Sequence, residues 1–399
     1  MKIGMILDHV FPPDLRVENE AVSLVEAGHE VLILSLRHSE TLPERETFRG
    51  IGIHRFLKNI QWVKKGRALI NSLLDFYTTA WSEEIINFAH KNKIDVLHVH
   101  DLYMLGAAFK ANRKLHLPIV SDLHENYVEG LKHYRFANTF PGNILVPQKK
   151  WARKEIEWTR QADRVITVID EAVDRYAGMG VSRDKLTVVA NYVHPQDFLK
   201  EDFDPSIIDR YKDRFVAAYI GAFDYHRGLE SVVKAVPAII REIPDFLLLL
   251  VGSGQNLDGL KALASESGIS SHVDFQGFQP AQKLPSYIKA SRIGLIPHLK
   301  TVHTDNTIPH KLFHYMLLEK PVVASNCTPI ERIVTSSDAG LIYTSNNSQE
   351  IAERIVHLYK NPEQMKRLAQ NGRQAVLEKY TWDLTAKNLN AMYAQLEIA

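Results

Sequence analysis

The chain alternates short apolar runs with longer amphipathic segments, in two successive series. Runs rich in Val, Ile and Leu lie at residues 3–7, 31–34, 96–99, 119–120, 165–168 and 186–189, and then at 216–220, 246–251, 273–275, 293–296, 322–324 and 341–343. This rhythm is typical of β–α–β units, because parallel strands are joined by long crossovers that usually contain a helix. It predicts an α/β fold with two doubly wound, Rossmann-like domains.

The break between the two series predicts the domain boundary. A polar, proline-containing stretch at residues 194–213 separates them, and 399 residues suit two domains better than one. We therefore predict an N-terminal domain over 1–195 and a C-terminal domain over 196–379. Residues 382–396 carry apolar side chains at helical spacing, and a return of the last segment, 380–399, to the first domain is an open alternative. Such folds bind ligands at the carboxyl ends of their strands, so we expect polar loops to converge in a cleft between the domains.

Composition excludes several classes of function. The 48 basic and 47 acidic residues give a net charge of +1, which supplies no general field for nucleic acid. The single cysteine, Cys327, excludes an internal disulfide framework, fits a reducing compartment and is better explained as a core residue than as a nucleophile. The N-terminus, MKIGMIL, becomes charged at Asp8 and is interpreted as a first strand and not as a signal peptide. The longest apolar run, 246–251, is too short to span a bilayer, so we expect a cytoplasmic protein.

Two segments combine basic residues with tryptophans: Lys58, Trp62, Lys64, Lys65 and Arg67 in one, and Lys149, Lys150, Trp151, Arg153, Lys154 and Trp158 in the other. This pattern suits peripheral contact with an anionic surface at the inner face of a membrane. It also suits solvated helix faces with tryptophans in the core, and we favour that second interpretation.

Residues 306–318, NTIPHKLFHYMLL, indicate a helix that begins beside a ligand and is followed by a buried strand at 321–325. Pro309 suits the first turn of a helix, where its missing N–H costs nothing. Free amides at a helix start favour a phosphate or another anion. If the rest of the chain agrees, this is a geometry for a nucleotide-sugar, and the candidate residues in this stretch are Asn306, Thr307, Ile308 and Lys311. Lys311 could add charge to the site or extend into solvent.

Four segments of the second half, in this order and spacing, resemble the donor half of glycosyltransferase family 4: GAFDYHRGL at 221–229, VGSG at 251–254, VDFQGF at 273–278 and PHKLFHYM at 309–316. The first half agrees less specifically, through GHEV at 28–31, HVHD at 98–101 and DLHE at 122–125. The resemblance implies a GT-B fold, with two Rossmann-like domains facing across a cleft. It implies a nucleotide-sugar donor held by the C-terminal domain and a hydroxyl acceptor held mainly by the N-terminal one. It also implies retention of anomeric configuration, with the leaving phosphate as base and with no side-chain nucleophile, cofactor or metal.

The resemblance places the leading catalytic cation at Arg227, where the family usually has a lysine. A guanidinium can bind the phosphate oxygens of the leaving group in a bidentate manner. The alternative is a solvated arginine at a helix start. The family's paired arginine is absent, because this chain has Ala222 there, and Lys311 or His226 could compensate.

Other donor residues follow from the same motifs. Gly221, Ser253 and Gly254 would let the backbone approach the donor, and the segment with Phe278 is similar to one whose backbone reads the base. The family's two glutamates fall here on Asn306 and His314. An amide and a neutral imidazole can still accept hydrogen bonds. The alternative for His314 is a buried histidine between helix and sheet.

In the first half, His124 follows a predicted strand, and the resemblance implies that it reaches the transferring sugar. With a pKa near neutrality it could donate or accept a proton. Glu125 and Asn126 could orient the acceptor or the histidine, and the alternative is that His124 and Glu125 form only a helix N-terminal turn.

The first loop, residues 8–20, carries Asp14, Arg16 and Asn19 where many relatives have two glycines. These side chains could recognise an acceptor, or Asp14 could cap a helix, and we hold both interpretations open. Asp101 is a further candidate on the acceptor side. His98, His100 and Asp101 suggest a metal cluster, but no Cys or Glu set completes a ligand shell, so we predict no metal.

The predicted function is that of a retaining, metal-independent glycosyltransferase acting on a nucleotide-sugar and a hydroxyl acceptor, lipid-linked or polysaccharide, in the synthesis of cell-surface polysaccharide or glycoconjugate. Two alternatives stay open. A GT-B sugar-nucleotide epimerase would need carboxylates, and the lack of glutamate at positions 306 and 314 argues weakly against it. A non-catalytic homologue that binds a partner is suggested by Ala222, Asn306 and His314.

Overall fold

The structure is a computed structural model that describes residues 1–72, 75–124, 126–131, 146, 148–199 and 203–396. The chain divides into two compact units: the first is Met1–Asn191 with Thr385–Ala399, and the second is Tyr192–Leu384. The division falls a few residues before the boundary expected at 195. The C-terminal segment groups with the first unit.

Among the described residues, the first unit contains an eight-stranded sheet with the order β3-β4-β2-β1-β5-β6-β7-β8. Neighbouring strands are parallel except for the antiparallel pair β3 and β4. The strands are β1 Lys2–Ile6, β2 Glu30–Arg37, β3 Arg45–Phe48, β4 Ile51–Leu57, β5 Val96–His100, β6 Ile119–Leu123, β7 Arg164–Thr167 and β8 Leu186–Val188. The helices are α1 Leu15–Glu26, α2 Ile60–Leu69, α3 Phe76–Asn92, α4 Leu105–Leu115, α5 Tyr127–Gly130, α6 Gln148–Gln161 and α7 Asp170–Gly178.

The described part of the second unit contains a six-stranded, parallel sheet with the order β11-β10-β9-β12-β13-β14. Its strands are β9 Phe215–Ile220, β10 Phe246–Val251, β11 Val273–Gly277, β12 Ile293–Ile296, β13 Val322–Ser325 and β14 Gly340–Tyr343. Its helices are α8 Pro195–Leu199, α9 Pro205–Arg210, α10 Leu229–Glu242, α11 Leu257–Glu266, α12 Leu284–Ala290, α13 Lys311–Leu317, α14 Thr328–Ser336, α15 Ser348–Lys360 and α16 Pro362–Lys379. Helix α17, Trp382–Ala394, is the last described helix. Short 3-10 helices lie at Leu102–Met104, Arg183–Lys185, Tyr225–Arg227, Ser270–His272, Ala281–Lys283 and Thr304–Asn306.

Strand β9 shows why the second sheet is buried on both faces. Val216, Ala218 and Ile220 belong to one core cluster, whereas Ala217 and Tyr219 belong to another. Successive side chains of a strand point to opposite faces, so a run of apolar residues fills both layers of helices around a parallel sheet.

Helix α17 packs on the first unit through polar contacts of its side chains. The Tyr393 hydroxyl lies 2.8 Å from Nδ1 of His98, and Oγ1 of Thr385 accepts a hydrogen bond from the amide of Ala190 at 2.7 Å. Both His98 and Tyr393 are fully buried. The C-terminal segment therefore contributes to the interior of the first unit.

The sheet orders decide which loops are neighbours. In the first sheet β1 lies between β2 and β5, and β6 follows β5; in the second, β9 lies between β10 and β12. The strand order reverses at β1 and at β9, which are the places where open α/β sheets bind ligands. Candidate residues after β1, β5 and β6, and after β9, β10 and β12, therefore meet at one edge of each sheet.

The predicted strands are present and the fold class is confirmed, but the antiparallel pair β3 and β4 was not predicted. The expected linker at 194–213 contains helices α8 and α9. Trp151 and Trp158 are 1% and 5% exposed, so they lie in the core of the first unit. Trp62 is half-buried, with Nζ of Lys58 5.1 Å from its ring centroid. Within the described part of the chain, no helix combines the length and the apolar character needed to cross a bilayer.

Candidate functional site

Two glycine turns bring backbone segments together at the edge of the second sheet. Gly221 follows β9 and Gly252 follows β10, with φ angles of 138° and 143° that L side chains rarely adopt. A Cβ atom on Gly252 would lie 1.9 Å from the carbonyl oxygen of Gly221. Glycine is therefore required here by conformation and by space.

These turns border a cavity of about 320 Å³. Its lining residues are Ile220, Gly221, Ala222, Val251, Gly252, Ser253, Phe278, Gln279 and Leu284. Phe278 is 83% exposed, so its ring has an open face. A Cβ atom on Gly254 would lie 2.6 Å from the amide nitrogen of Phe223. The structure thus brings Gly221, Ser253 and Phe278 to one cavity, with Gly254 in the turn beside them.

The requirement for glycine is testable. We expect Gly252→Ala to destabilise the protein by about 2–4 kcal/mol, because the new methyl group meets a carbonyl oxygen and the backbone is strained. Gly268→Ala is the matched control: its φ is 67°, but no atom lies within 4 Å of the added Cβ, so about 1 kcal/mol of strain is expected. Chemical denaturation measures both. Equal losses for the two variants would contradict the close approach seen here.

Arg227 lies in a group of basic side chains in the second unit. Gly228 brings it there, since a Cβ atom on Gly228 would lie 1.9 Å from the carbonyl oxygen of Pro297, just before His298. The distance from NH1 of Arg227 to Nε2 of His298 is 2.5 Å. A guanidinium can only donate, so this nitrogen accepts and Nδ1 carries the proton of a neutral ring. Burial, with the positive charges of Lys311 and Arg227, holds the pKa of His298 well below its usual range.

Lys311 also belongs to this group. It is partly buried, and its Nζ lies 3.6 Å from the ring centroid of Tyr219. Burial and the charge of Arg227 hold the pKa of Lys311 well below its usual range. Among the described residues, neither Arg227 nor Lys311 has an ion pair with a carboxylate. The group is therefore a cluster of basic side chains with no carboxylate partner among the described residues.

The remaining candidates of the donor segment lie around the start of α13. Nδ2 of Asn306 donates to the carbonyl oxygen of Val302 at 2.7 Å. Thr307 is half-buried, and Ile308 packs against the core of the second unit. Helix α13 begins at Lys311 and has seven residues, so it is shorter than the sequence indicated.

His314 is stacked on Phe198, with ring centroids 4.3 Å apart and an angle of 15° between the planes. Burial, with the nearby His310, lowers its pKa to about 3, so the ring is neutral near pH 7. His314 is therefore packed between elements of the second unit, as in the alternative interpretation of this residue. Its role with a ribose stays a prediction.

In the first unit, β5 and β6 place His100, Asp122 and His124 side by side. Oδ2 of Asp122 lies 2.9 Å from Nδ1 of His100 and 2.7 Å from Nε2 of His124. Nδ1 of His124 lies 3.6 Å from Oδ1 of Asp101, which follows β5 with a φ of 68°. Two carboxylates therefore face opposite nitrogens of the His124 ring.

This arrangement corrects the expected charge of His124. Burial opposes the charged ring, but the carboxylates of Asp122 and Asp101 outweigh it and raise the pKa of His124 to about 9. Burial raises the pKa of Asp101, while Arg16 and His124 overcome burial and hold the pKa of Asp122 well below its usual range. The expectation of a pKa near neutrality was wrong. His124 is a cation at pH 7 that donates hydrogen bonds.

Arg16 does not extend from the first loop. It is 8% exposed, and its guanidinium donates to Asp122 at 2.6 and 3.2 Å, to the carbonyl oxygen of Val189 at 2.8 Å and to Oδ1 of Asn191 at 2.7 Å. The interpretation of Arg16 as an acceptor contact is wrong, because these partners occupy the guanidinium. Arg16 donates hydrogen bonds to the carboxylate of Asp122, and the same carboxylate contacts the ring of His124.

The other candidates of the first unit, apart from Glu125, lie on helices or at their starts. Asp14 is the N-cap of α1, accepting from the amide of Val17, and its other oxygen lies 2.9 Å from Nε2 of His9. Asn19 lies half-buried on α1. Asn126 is buried, and its Oδ1 accepts from the amide of Glu129 at 3.2 Å, so it caps a short helix. Glu125 lies outside the described residues.

A metal-like cluster exists, but its composition differs from the one considered in the sequence. One ligand atom each of Glu20, His98, His100 and Asp122 lies within 4.8 Å of the others, and all four residues are buried. A glutamate does complete the set, which the sequence did not reveal. However, NH2 of Arg16 lies 2.8 Å from Glu20 and 2.6 Å from Asp122, so a guanidinium already supplies positive charge to both carboxylates.

We therefore keep the prediction that no metal binds. Elemental analysis of the purified protein should find less than one tenth of a transition metal ion per chain, since a second cation beside Arg16 would be repelled. One metal ion per chain that is lost in His98→Ala, with the fold retained, would contradict this.

Asp122, which contacts His124, and His298, which contacts Arg227, were not chosen as site residues from the sequence. Asp122 could have been found, because residues 122 and 124 point to the same side when a strand continues through them. His298 had no such signal, since its contact with Arg227 depends on β12 lying beside β9.

Two family models match the chain, one in each half. "Glycosyl transferases group 1" matches residues 200–375, and "Glycosyltransferase Family 4" matches residues 16–197. The chain belongs to the group 1 glycosyltransferases. This confirms the resemblance found in the motifs.

Two relatives of this glycosyltransferase and one solved structure match it over nearly the whole length. An uncharacterised glycosyltransferase of Methanocaldococcus jannaschii is 23% identical, with 98% of each chain covered. The α-monoglucosyldiacylglycerol synthase of Acholeplasma laidlawii is 20% identical, covering 99% of this chain and 97% of its own. The solved structure of the Anabaena protein HepE in complex with UDP has a TM-score of 0.75 at 17% identity, covering 99% and 100%. The fold of this glycosyltransferase is GT-B, as predicted.

Proposed function

We propose that this glycosyltransferase transfers a sugar from a nucleotide-sugar to a hydroxyl acceptor with retention of anomeric configuration and without a metal. One observation carries the proposal: Arg227 and Lys311 are two basic side chains with no carboxylate partner among the described residues, in the unit whose glycine turns border an open cavity. A diphosphate is the part of a nucleotide-sugar that such a group would bind, and its charge grows as the sugar leaves. The structure of HepE with UDP supports a uridine nucleotide as the first donor to test.

The proposed reaction needs no nucleophilic side chain. The acceptor oxygen bonds to the anomeric carbon on the face from which the phosphate departs, and the acceptor proton passes to the departing phosphate oxygen. Arg227 would stabilise the leaving diphosphate. His124, being charged at pH 7, would donate a hydrogen bond to the transferring sugar and would not act as a base.

The acceptor class is proposed from the resemblance and the relatives. One relative is named for the synthesis of monoglucosyldiacylglycerol, which makes a lipid hydroxyl a candidate acceptor. Polysaccharide and other glycoconjugate hydroxyls are the alternative, and we propose cell-surface biosynthesis as the setting for either. A lipid acceptor would require peripheral contact with a membrane.

The first experiment is a binding panel of UDP, GDP, ADP, CMP and dTDP. A ligand that binds the native state raises the unfolding temperature, so the matching base should give a clear shift, followed by calorimetry. Sugars on that base and hydroxyl acceptors are then screened, and NMR of the anomeric signal of the product tests retention. Failure of every nucleotide to bind in calorimetry would reject the proposal and favour a non-catalytic homologue.

A further inference from the structure

The two segments that combine basic residues with tryptophans differ in the structure. On α6, Trp151 and Trp158 are 1% and 5% exposed, so this segment is a solvated helix face over tryptophans of the core. At the start of α2, apolar side chains are exposed instead: Leu57 is 44% exposed and Ile60 is 47% exposed. The first segment therefore presents apolar surface to solvent beside its basic residues.

Helix α2 shows one face to solvent. Ile60 and Lys64 are four residues apart and share that face, and Lys65 beside them is also exposed. Val63 and Gly66 are buried on the other side of the helix. The exposed face therefore mixes lysines with an isoleucine.

Contacts between rings extend this face to the start of α3. The ring centroids of Trp62 and Phe76 lie 5.6 Å apart, and Phe76 is 41% exposed. Nζ of Lys58 lies 5.1 Å from the ring centroid of Trp62. The exposed members form one surface, which we call the α2 surface: Leu57, Lys58, Ile60, Lys64, Lys65 and Phe76.

The α2 surface is positively charged. Residues 57–74 contain four basic residues and no aspartate or glutamate. Within the described part of the chain, Lys58, Lys64 and Lys65 have no ion pair with a carboxylate. The next acidic residue along the chain, Asp75, is engaged as the N-cap of α3. The surface therefore suits a partner that offers both negative charge and an apolar layer.

We propose that the α2 surface binds the face of a bilayer that contains anionic lipids. Lysines gain favourable electrostatic energy beside phosphate headgroups, and exposed leucine, isoleucine and phenylalanine side chains can enter the boundary with the acyl chains. A nucleic acid would pair with the lysines but would leave these apolar side chains in water. The inference does not depend on which nucleotide the protein binds.

The inward side of α2 contacts the edge of the sheet that carries His124. Nε of Arg67 donates to Oδ2 of Asp8 at 2.6 Å. The Tyr103 hydroxyl lies 2.9 Å from Oδ1 of Asp8 and 2.9 Å from Oδ2 of Asp101. The other oxygen of Asp101 faces His124. A bilayer held at the α2 surface would therefore lie near the candidate acceptor side of the same unit.

Flotation with lipid vesicles tests the α2 surface. One set of vesicles is phosphatidylcholine alone, and the other contains about 30% phosphatidylglycerol. We expect binding to the anionic vesicles to be at least about tenfold stronger and to weaken as salt rises from about 0.1 to 0.5 M, because salt screens the charges. Lys64→Gln/Lys65→Gln should bind them about 25-fold more weakly, since each lysine near an anionic surface contributes about fivefold.

A matched control tests whether any pair of basic residues would do. Arg113 and Lys114 are adjacent and exposed in the last turn of α4, in the same unit. Arg113→Gln/Lys114→Gln should leave vesicle binding unchanged. The unfolding temperature of each variant shows that it is folded.

The apolar part of the contact has its own test. Ile60→Ser should weaken vesicle binding by about 3–10-fold, because it removes an apolar side chain from the acyl boundary. Brominated lipids quench tryptophans that touch the acyl chains. We expect quenching that is largely lost in Trp62→Phe, since the other four tryptophans are buried.

The outcomes distinguish this inference from the proposed function. If neither set of vesicles is bound, or if both basic-pair variants lose equal affinity, the α2 surface is rejected and the nucleotide-sugar proposal stands. Binding of DNA that needs Lys64 and Lys65, without binding of vesicles, also rejects it. Vesicle binding by a protein that binds no nucleotide would support the α2 surface and reject the proposed function.

Discussion

Replacing Arg227 by alanine is expected to weaken nucleoside diphosphate binding by about 100-fold or more. Hydrogen bonds between charged groups contribute about 1.5–3 kcal/mol each, and a guanidinium can make two to a diphosphate. Among the described residues, the guanidinium of Arg227 has a polar contact only with the neutral His298, so it can bind an anion. The affinity of Arg227→Lys for nucleoside diphosphate should lie between those of the wild type and Arg227→Ala. An ammonium group keeps the positive charge but loses the planar geometry that allows two hydrogen bonds.

Titration calorimetry with nucleoside and nucleoside diphosphate measures the effect. The nucleoside, which has no phosphate, should bind the variant and the wild type equally. Arg241→Ala is the control: Arg241 is an exposed arginine in the last turn of α10, whose first turn follows Arg227. Its loss should leave the affinity unchanged. Equal diphosphate affinity in wild type and Arg227→Ala would refute the assignment of Arg227.

The second large effect concerns Asp122 and His124. Since the folded protein raises the pKa of His124 from 6.5 to about 9, it binds this proton more tightly than the unfolded chain. The stabilisation is complete below about pH 6.5 and is lost as the pH rises through about 9. We expect the free energy of unfolding to fall by about 1–3 kcal/mol over this window. In His124→Gln this part of the pH dependence should be absent.

Glu20 must be considered in the same experiment. Burial, opposed by Arg16, raises its pKa to about 8, so its contribution to stability also declines with rising pH, starting from lower pH. The prediction is therefore the difference between wild type and His124→Gln, measured by denaturant unfolding at pH 6.5 and pH 9. Identical slopes in the two proteins would show that Asp122 and Asp101 do not hold the His124 proton.

Asp122→Asn should have the larger effect on absolute stability. It removes the ionised partner of the buried Arg16, and breaking a buried pair from one side costs about 3–5 kcal/mol. It should also remove most of the pH dependence that belongs to His124. His124→Gln leaves the pair of Arg16 and Asp122 in place, so it tests the same proton even if Asp122→Asn does not fold.

The sequence predicted the fold well because its signals are local. Each strand of the second sheet is a short apolar run, and burial on both faces requires that composition, as β9 and β10 illustrate. The pair β3 and β4 was missed because β3 is a largely exposed, polar edge strand with no apolar run. The identity of the family was also readable, because the motifs after β9, β10 and β11 are contiguous in sequence.

The site was predicted residue by residue but not as a set of contacts. Arg16 looked like a loop residue free to contact an acceptor, yet it is buried against Asp122, which lies 106 positions away in sequence. Lys311 had two open interpretations, and the structure excludes extension into solvent, because Nζ lies over the ring of Tyr219 and beside Gly221. The charge of His124 could not be predicted, since it depends on two carboxylates from neighbouring strands.

By itself the sequence determined the two Rossmann-like domains, the family and the candidate residues. Strand patterns and glycine motifs are formed by residues close together in the sequence, so they can be recognised without the structure. Only the tertiary structure decided the protonation states and the partners. A pKa depends on burial and on charges brought close by the order of strands in a sheet, and that order is not readable from local pattern. Lys311 beside Gly221, His298 beside Arg227 and Asp122 between Arg16 and His124 all follow from that order.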